Sequence, residues 1–409
     1  MIKPETVKVI KSTLPVLQQH GETLTSLFYT RMFENNPEVK TFFNQAHQHI
    51  GTQQRALAAA ICAYAEHIET PEKLSEAVEL IAQKHASLGI KAEHYPIVGA
   101  NLIGAIKELL GDAATDEIIN AWEEAYTALV TIFVNREQAI YDAHLDKYGW
   151  QGFKAFNVIQ REDNSSNISS FYLQPQDGTK VTPHIAGQYI TVKRQTADGT
   201  STLRNYSLSN YPGTEYYRIS VKRELSADVT IPHGLVSNDI HDNIMQGDTL
   251  FIAPPCGEFT LSDRKEQQQD PIVFIAGGVG ITPLLSMLHA VLRENRNSPI
   301  TLIQAAVNGE THAFSEEIQA LCNQHANFTW HVRYSAPNAL DRKNKRFDSE
   351  GLIDSDLIRP LAEASSKTHY YLCGPEPMLK HCYSVLRNHN VTAEQIYYEF
   401  FGPKDNLEK

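Results

Sequence analysis

A chain of 409 residues is long enough for two or three domains that each bury a core of their own. Its composition, with 42% hydrophobic and 21% charged residues, is ordinary for a globular protein, whereas the net charge of −12 argues against a nucleic-acid backbone or an anionic membrane as partner. The five cysteines are scattered, odd in number and never spaced as CxxC, which favours a reducing cytoplasm over a disulfide framework or a cysteine-held metal.

The first part of the chain, to about residue 145, has helical apolar spacing throughout, and this predicts a globin-like packing or a helix bundle. Predicted helices end near Asn35, Gly89 and Gly111. A long apolar stripe in the last of these helices contains one charged residue, Glu137, and another stripe begins with Tyr95. Both side chains are therefore expected to face the core.

His85 is the residue of this region that most needs an explanation. It lies between Ile81 and Leu88 on the apolar face of a helix that Thr70 and Pro71 are suited to begin. A buried histidine satisfied by one hydrogen bond is the simpler interpretation, and a metal ligand is the alternative. The spacing alone leaves both open. A second histidine, His144, lies at a polar position and is expected at the solvated surface.

The pattern changes after the segment "DKYGWQG" (146–152). Short alternating runs separated by turn residues then predict an antiparallel β-barrel, and from residue 270 strands alternate with helices, as in an open parallel α/β sheet. The expected domains are residues 1–147, 152–263 and 270–403. The longest apolar stretch, 272–288, contains three glycines and a proline, so no membrane span is expected.

Three short motifs point to nucleotide chemistry. "IAGGVGITP" (275–283) is a strand, a glycine turn and a helix start, which exposes backbone N–H groups to a diphosphate, although such a turn can also be purely structural. "YLCGPEPM" (371–378) follows the last strand of the sheet, at the edge where nucleotides bind. In "RNYSLSN" (204–210), Arg204, Tyr206 and Ser207 could hold the phosphate, the ring and a polar edge of a flavin.

The barrel, the RxYS motif, the glycine turn, the CGP motif and the terminal "EFFGP" occur in an order that resembles the ferredoxin–NADP⁺ reductase superfamily. The helical segments "SLFYTRMF", "IAQKHASLGIKAEHYPIVG" and "VNREQAIY" resemble those of flavohaemoglobins, in which a globin is fused to such a reductase. The resemblance extends from about residue 1 to Pro403. It implies an all-α globin domain with haem b, an FAD-binding barrel and an α/β domain for NAD(P)H.

For the haem side, the resemblance implies that His85 is the proximal iron ligand and that Glu137 and Tyr95 form hydrogen bonds beside it. The simpler interpretation of His85 then loses most of its support, because a lone core histidine rarely has a core-facing glutamate as neighbour. The resemblance places these residues in or near the haem pocket: Tyr29, Gln53 and Leu57 on the distal side, Phe43 on the haem face, and Lys84 and Glu399 between haem and flavin.

For the two nucleotides, the resemblance implies one set of residues each. The FAD set is Tyr189, Arg204, Asn205, Tyr206, Ser207, Val236, Ser237, Phe400, Phe401, Gly402 and Pro403. The NAD(P)H set is Gly278, Val279, Gly280, Ile281, Thr282, Pro283, Cys373, Gly374 and Pro375. The chain departs from the usual family pattern at Ala186 and Asn205. The segment 305–312 offers no clear acid or arginine, and so the choice between NADH and NADPH stays open.

The reaction implied by the resemblance is nitric oxide dioxygenation, in which NO and O₂ become nitrate at the expense of NAD(P)H. A haem–flavin reductase acting on peroxides, ferric iron or quinones is the alternative, and a globin sensor or a flavin reductase with a helical docking module are further ones. The expected partners are the small molecules NO, O₂ and NAD(P)H, without nucleic acid or stable membrane insertion, and the expected state is a cytoplasmic monomer.

Overall fold

Three structural units follow one another along the chain in the computed structural model. It describes residues 2–43, 51–195, 201–225, 233–261, 269–294, 297–364 and 366–402, without the side chains of Thr52 and Ala364. Within these residues, no helix combines the length and the apolar character needed to cross a bilayer.

The first unit is helical, as the apolar spacing predicts. Its helices are α1 (Pro4–Asn35), α2 (Thr52–Glu66), α3 (Ser75–Leu88), α4 (Tyr95–Leu110) and α5 (Asp116–Tyr148). The predicted helix ends near Asn35, Gly89 and Gly111 are confirmed. Gly89 ends α3 because its φ of 78° is left-handed, a conformation that side chains with a Cβ rarely adopt. Pro71 begins a 3₁₀ turn (Pro71–Leu74) immediately before α3 and not the α-helix itself.

The second unit is an antiparallel sheet that curls into a barrel. Its strands are β1 (Lys154–Asp163), β2 (Ile168–Pro175), β3 (Tyr189–Gln195), β4 (Ser201–Ser207), β5 (Tyr217–Lys222) and β6 (Thr249–Ile252), with helix α6 (Leu235–Asn243) before β6. The strand order is β4-β3-β6-β1-β2-β5, and a bridge between Leu208 and Ile219 joins the two ends. Alternate side chains such as Ile190 and Val192 fill the interior.

The third unit is a parallel sheet with helices. In chain order it comprises β7 (Ile272–Gly277), α7 (Ile281–Leu292), β8 (Ile300–Ala306), α8 (Ser315–Gln324), β9 (Phe328–Tyr334), α9 (Ala339–Asn344), β10 (Ser349–Glu350), α10 (Ser355–Ala364), β11 (His369–Cys373), α11 (Glu376–Asn388) and β12 (Ile396–Glu399). The strand order is β10-β9-β8-β7-β11-β12. The order reverses between β7 and β11, the position at which open α/β sheets bind ligands.

Candidate functional site

The side chain of His85 faces α5 across the helical unit. Its Nδ1 lies 2.7 Å from Oε1 of Glu137 and 3.1 Å from the hydroxyl oxygen of Tyr95. The Tyr95 hydroxyl donates to the same Glu137 oxygen. Helices α3, α4 and α5 thus each supply one member of this group, and the two side chains that the sequence places on core-facing stripes meet at His85.

The electrostatics of this group fix the tautomer of His85. Burial, followed by the hydrogen bond and the charge of Glu137, raises the pKa of Tyr95 far above its usual value, so Tyr95 stays a neutral donor. The Glu137 carboxylate is 2% exposed and accepts from both neighbours. A proton on Nδ1 of His85 leaves the lone pair on Nε2, which hydrogen-bonds to no residue that the structure describes. The His85 side chain keeps 31% exposure, which leaves that atom accessible.

A second polar contact aligns α3 with α5. Arg136, the neighbour of Glu137, forms two hydrogen bonds to the carboxylate of Glu79, one of them 2.7 Å long. Glu79 also accepts from Gln83 at 3.0 Å, and Gln83 in turn accepts from the backbone N–H of Gly257 at 3.4 Å. The hydrogen bond from Arg136 is the main cause that lowers the pKa of Glu79. The helix that carries His85 is therefore connected both to α5 and to the barrel.

Tyr29 and Phe43, both predicted to lie in the haem pocket, belong to one aromatic cluster. The Tyr29 ring on α1 lies 4.9 Å from that of Phe28 and 5.7 Å from those of Phe33 and Phe43, measured between centroids. Its hydroxyl forms no hydrogen bond within the described part of the chain, and burial raises the pKa of this group, so it is a neutral donor. Leu57 packs into the same apolar cluster.

Gln53 lies four residues before Leu57 on α2, hence on the same helix face.

The set of side chains around His85 and Tyr29 fits a haem. A neutral imidazole held by a carboxylate through Nδ1, with its Nε2 available, is the usual arrangement of a metal-ligating histidine. Aromatic and aliphatic side chains, with one hydroxyl that has no hydrogen-bond partner among the described residues, suit the face of a haem at which a small ligand binds.

The predicted flavin residues lie on two adjacent strands. In the β3–β4 register, Tyr189 pairs with Ser207 and Thr191 with Asn205, so these share one face, whereas Arg204 and Tyr206 lie on the other. The hydroxyl of Thr191 donates to Oδ1 of Asn205 at 2.8 Å. Residues 204–207 are half-buried, unlike 208–210, which are buried. A guanidinium, an amide and three hydroxyls on these two strands fit the phosphate and polar ring edges of FAD.

The remaining predicted flavin residues are more widely spread. Val236 and Ser237 are buried in the first turn of α6. Phe400 packs in the core of the α/β unit, while Phe401 is exposed and Gly402 follows it at the end of the described chain. Pro403 lies outside the described residues. The assignment of these positions to FAD stays a prediction.

The two predicted nucleotide loops lie in direct contact at the reversal of strand order. A Cβ on Gly280 would lie 2.2 Å from the carbonyl oxygen of Cys373, and a Cβ on Gly374 would lie 3.0 Å from the Cα of Gly277. Gly278 has a left-handed φ of 54° and open space around it. The loops therefore form a surface of bare backbone that fits a diphosphate.

The other predicted residues of this site flank the loops. Thr282 is buried, and its hydroxyl donates to the carbonyl of Val279 at 2.9 Å. Ile281 and Pro283 are buried in the first turn of α7, and Pro375 immediately precedes α11. Helix α7 begins at Ile281, immediately after the glycine turn and within the segment 275–283, in which the sequence predicts a helix start.

Lys84 and Glu399 lie close enough to interact, although they belong to different units. The surrounding protein lowers the pKa of Lys84, even though the residue keeps solvent exposure, and the negative charge of Glu399 opposes this shift. Lys84 directly precedes His85 on α3, and Glu399 ends β12. The charge of Glu399 in the α/β unit therefore acts on Lys84 in the helical unit.

The prediction that His144 is solvated is wrong. His144 is 6% exposed, and its Nε2 lies 3.5 Å from Sγ of Cys256 in the barrel. Burial, with a smaller effect of Lys147, lowers the pKa of His144 to about 4. The stripe that contains Glu137 and Ile140 continues to His144 in steps of three and four, and this signal would have placed it at an interface.

Three protein-family models match the chain in order: Globin over residues 26–133, the Oxidoreductase FAD-binding domain over 155–261 and the Oxidoreductase NAD-binding domain over 274–383. A curated Flavohemoprotein from Rhodopirellula baltica is 46% identical over 411 residues, which cover 100% of this chain and 99% of that protein. A Flavohemoprotein from Halalkalibacterium halodurans is 42% identical over 408 residues, covering 99% and 98%.

Solved structures give the same result. The crystal structure of a flavohemoglobin from Malassezia yamatoensis with bound FAD and heme has a TM-score of 0.83 and 28% identity, over 98% of this chain and 100% of that one. The flavohem-like FAD/NAD-binding domain of a nitric oxide dioxygenase from Vibrio cholerae has a TM-score of 0.54 and 31% identity, over 61% of this chain and 99% of that one.

Proposed function

The chain belongs to the flavohaemoprotein family, and we propose that it is a nitric oxide dioxygenase, converting NO and O₂ into nitrate with electrons from NAD(P)H. Its matched domains make it an NAD(P)H-dependent haem–flavin oxidoreductase; the identity of the substrate is the proposed part. The observation that carries the proposal is the hydrogen-bonded group of His85, Glu137 and Tyr95. The hydroxyl of Tyr29, which forms no hydrogen bond among the described residues, gives further support.

A carboxylate-bound histidine is not needed merely to store oxygen. The Glu137 carboxylate makes the imidazole of His85 a stronger electron donor, which favours reactions in which an O–O bond is activated. Fusion of this pocket to a reductase supplies electrons for repeated turnover. The name of the Vibrio cholerae relative, a nitric oxide dioxygenase, supports the same substrate.

When bound, haem supplies the redox-active iron, and FAD accepts two electrons from NAD(P)H and passes them on singly. The residues of the chain would orient these cofactors and select the substrate. His85 would hold the iron through Nε2, Glu137 and Tyr95 would keep its Nδ1 protonated, and Tyr29 would donate a hydrogen bond to negative charge that develops on the oxygen substrate. Phe43, Gln53 and Leu57 would shape the pocket.

In the reductase half, Arg204 would bind the FAD phosphate, and Tyr189, Asn205, Tyr206 and Ser207 would contact the flavin. The glycine loops at 278–280 and 373–375 would bind the NAD(P)H diphosphate through backbone N–H groups. Lys84 and Glu399 would lie on the route of the electrons between flavin and haem. We expect the enzyme to act as a cytoplasmic monomer, without nucleic acid or stable membrane insertion.

The deciding experiment is NO consumption on an electrode, with purified holoprotein, air-level O₂ and excess NADH. Rapid loss of NO that needs both O₂ and NADH, with an equal amount of nitrate formed, is the expected result. Slow or O₂-independent loss would contradict the proposal. Reduction of peroxides, ferric iron or quinones by the same preparation would then identify the alternative reductase.

A further inference from the structure

An arginine, a glutamate and a histidine meet where the barrel packs against the α/β unit. Nη1 and Nη2 of Arg218 on β5 donate to the two carboxylate oxygens of Glu317 on α8, at 2.9 and 3.1 Å. Nε2 of His289 on α7 lies 2.5 Å from Oε1 of the same carboxylate. We name Arg218, Glu317 and His289 the interdomain triad. The side chains of Arg218 and Glu317 are 6% and 28% exposed, so this contact is largely shielded from solvent, unlike a surface ion pair.

Arg218 is fixed to the strand segment that follows the predicted flavin residues. Its Nε donates to the hydroxyl of Ser209 at 3.0 Å, and its Nη2 donates to the Ser209 carbonyl at 2.6 Å. Its backbone N–H donates to Oδ1 of Asn210 at 2.8 Å. Ser209 and Asn210 follow residues 204–207 after one intervening residue, Leu208. The position of Arg218 therefore depends on the segment that carries the flavin motif.

Helix α7 is fixed to the same segment from the other side. The hydroxyl of Ser286 donates to the Asn210 carbonyl at 2.7 Å and lies 3.2 Å from Nε2 of His184. His289 is one turn further along α7 and contacts Glu317. The first residue of α7 follows the glycine turn at 278–280. One helix thus carries the predicted nucleotide loop at its start and the contacts to the flavin segment along its length.

The charges of the interdomain triad are balanced across the boundary. Burial by itself would raise the pKa of Glu317, but the hydrogen bond from His289 and the charge of Arg218 lower it to about 2. The carboxylate is thus ionised in the folded protein and accepts from both units. Such a group has directional hydrogen bonds that define one relative orientation, which apolar packing alone specifies less well.

We propose that the interdomain triad positions the NAD(P)H-binding unit on the flavin barrel and so sets the rate at which NAD(P)H reduces FAD. In that step a C–H bond of the reduced nicotinamide breaks and an N–H bond of the flavin forms, with two electrons moving together with the hydrogen. The triad touches neither ring and acts by orientation alone. This inference rests on the reductase half of the proposed function and is independent of the reaction with NO.

Glu317→Gln tests the proposal, because it keeps the shape and removes the charge. Glu350→Gln is the matched control, since Glu350 forms an exposed ion pair with Arg342 in the same unit. FAD reduction is followed anaerobically by stopped flow with NADH and with NADH deuterated at C4. We expect the limiting rate to fall about 10- to 100-fold in Glu317→Gln, with a changed isotope effect and little change in the Kd for NADH. Glu350→Gln should behave as the wild type.

A second readout is independent of catalysis. Amide hydrogen exchange of the holoprotein without NADH should become faster in peptides covering 205–220 and 281–292 in Glu317→Gln, but not in Glu350→Gln. His289→Gln, which removes a single contact, should change both readouts in the same direction by less. Faster exchange with an unchanged rate and isotope effect would overturn the proposal, because the triad would then only stabilise the interface.

The two proposals can fail separately. Normal FAD reduction by NADH in the wild type without formation of nitrate would contradict the dioxygenase function alone. Equal limiting rates of FAD reduction in the wild type and Glu317→Gln would contradict the positioning role alone. If Glu317→Gln does not retain FAD, the same comparison made with His289→Gln decides the matter.

Discussion

Nδ1 of His85 lies 2.7 Å from Oε1 of Glu137, a residue 52 positions further along the chain on a different helix. The carboxylate is nearly fully buried and accepts a second hydrogen bond from Tyr95. A buried carboxylate without partners would be strongly destabilising, so the three side chains depend on one another. This relationship gives the histidine a fixed tautomer and a fixed ring orientation before any ligand reaches Nε2.

The first prediction concerns Glu137→Gln. The amide is a weaker acceptor than the carboxylate, and so His85 should become a weaker electron donor. We expect turnover with NO to fall about 10- to 100-fold and the iron–histidine stretching frequency in the resonance Raman spectrum of the ferrous protein to decrease. Tyr95→Phe keeps the carboxylate and should change the frequency less. An unchanged frequency in Glu137→Gln would contradict this role of the carboxylate.

The second prediction concerns the hydroxyl of Tyr29, for which the described residues supply no hydrogen-bond partner. Tyr29→Phe removes a hydrogen bond to a charged acceptor, which contributes about 1.5 kcal/mol or more, equal to roughly a tenfold change. Oxygen should dissociate about tenfold faster, and turnover should be slower. Tyr64→Phe is the control, because Tyr64 is equally buried and its hydroxyl donates to the carbonyl of Ala125. Oxygen dissociation that is unchanged in Tyr29→Phe would exclude the proposed role.

The third prediction concerns the close approach of the two nucleotide loops. A Cβ at position 280 would lie 2.2 Å from the carbonyl oxygen of Cys373, and backbone atoms cannot move aside as a flexible side chain can. Gly280→Ala should therefore separate the loops, lower the melting temperature and weaken NADH binding at least tenfold, as measured by the concentration dependence of FAD reduction. Normal binding would show that the loops need not touch.

The control for this variant is Gly178→Ala. Gly178 has a left-handed φ of 76° in a turn of the barrel, and no atom lies within 4 Å of the place that a Cβ would occupy. Alanine there should cost only about 1 kcal/mol of backbone strain. Its NADH binding should equal that of the wild type, which separates general destabilisation from loss of the nucleotide surface.

The inward-facing positions of Glu137 and Tyr95 could be predicted from helical periodicity, whereas their contacts with His85 are implied only by the family resemblance. Glu137 and Tyr95 each interrupt or begin an apolar stripe, and a stripe must face a core. The helix ends at Gly89 and Gly111 could also be predicted, because glycine readily adopts the positive φ that ends a helix. Strand-like runs separated by turns predict the class of the second unit. Strand-like runs that alternate with helices predict the class of the third unit.

The contacts between units could not be predicted in this way. Arg218 and Glu317 are 99 residues apart in the chain, and nothing in the spacing of either strand or helix indicates that they meet. The short strand β12 is not predicted either, because only its last residue, Glu399, belongs to the terminal segment "EFFGP" that the sequence analysis identifies. Asp142 and Asp146, two residues to either side of His144, favour a position at the surface, although the partner of His144 is Cys256 in another unit.

The last prediction concerns the pH dependence of the junction between the helical unit and the barrel. Burial lowers the pKa of His144 to about 4, compared with 6.5 in the unfolded chain, so the folded state favours the neutral ring. The resulting stabilisation is complete above pH 6.5 and is lost as the pH falls towards 4, with a slope of at most about 1.4 kcal/mol per pH unit.

His144→Gln removes the titrating group, and the melting temperature measured by calorimetry should therefore depend less on pH between 6.5 and 4. His381→Gln, at an exposed position on α11, is the control and should keep the dependence of the wild type. Equal slopes for wild type and His144→Gln would mean that His144 becomes hydrated and protonated without unfolding. The contact with Cys256 would then open locally in acid.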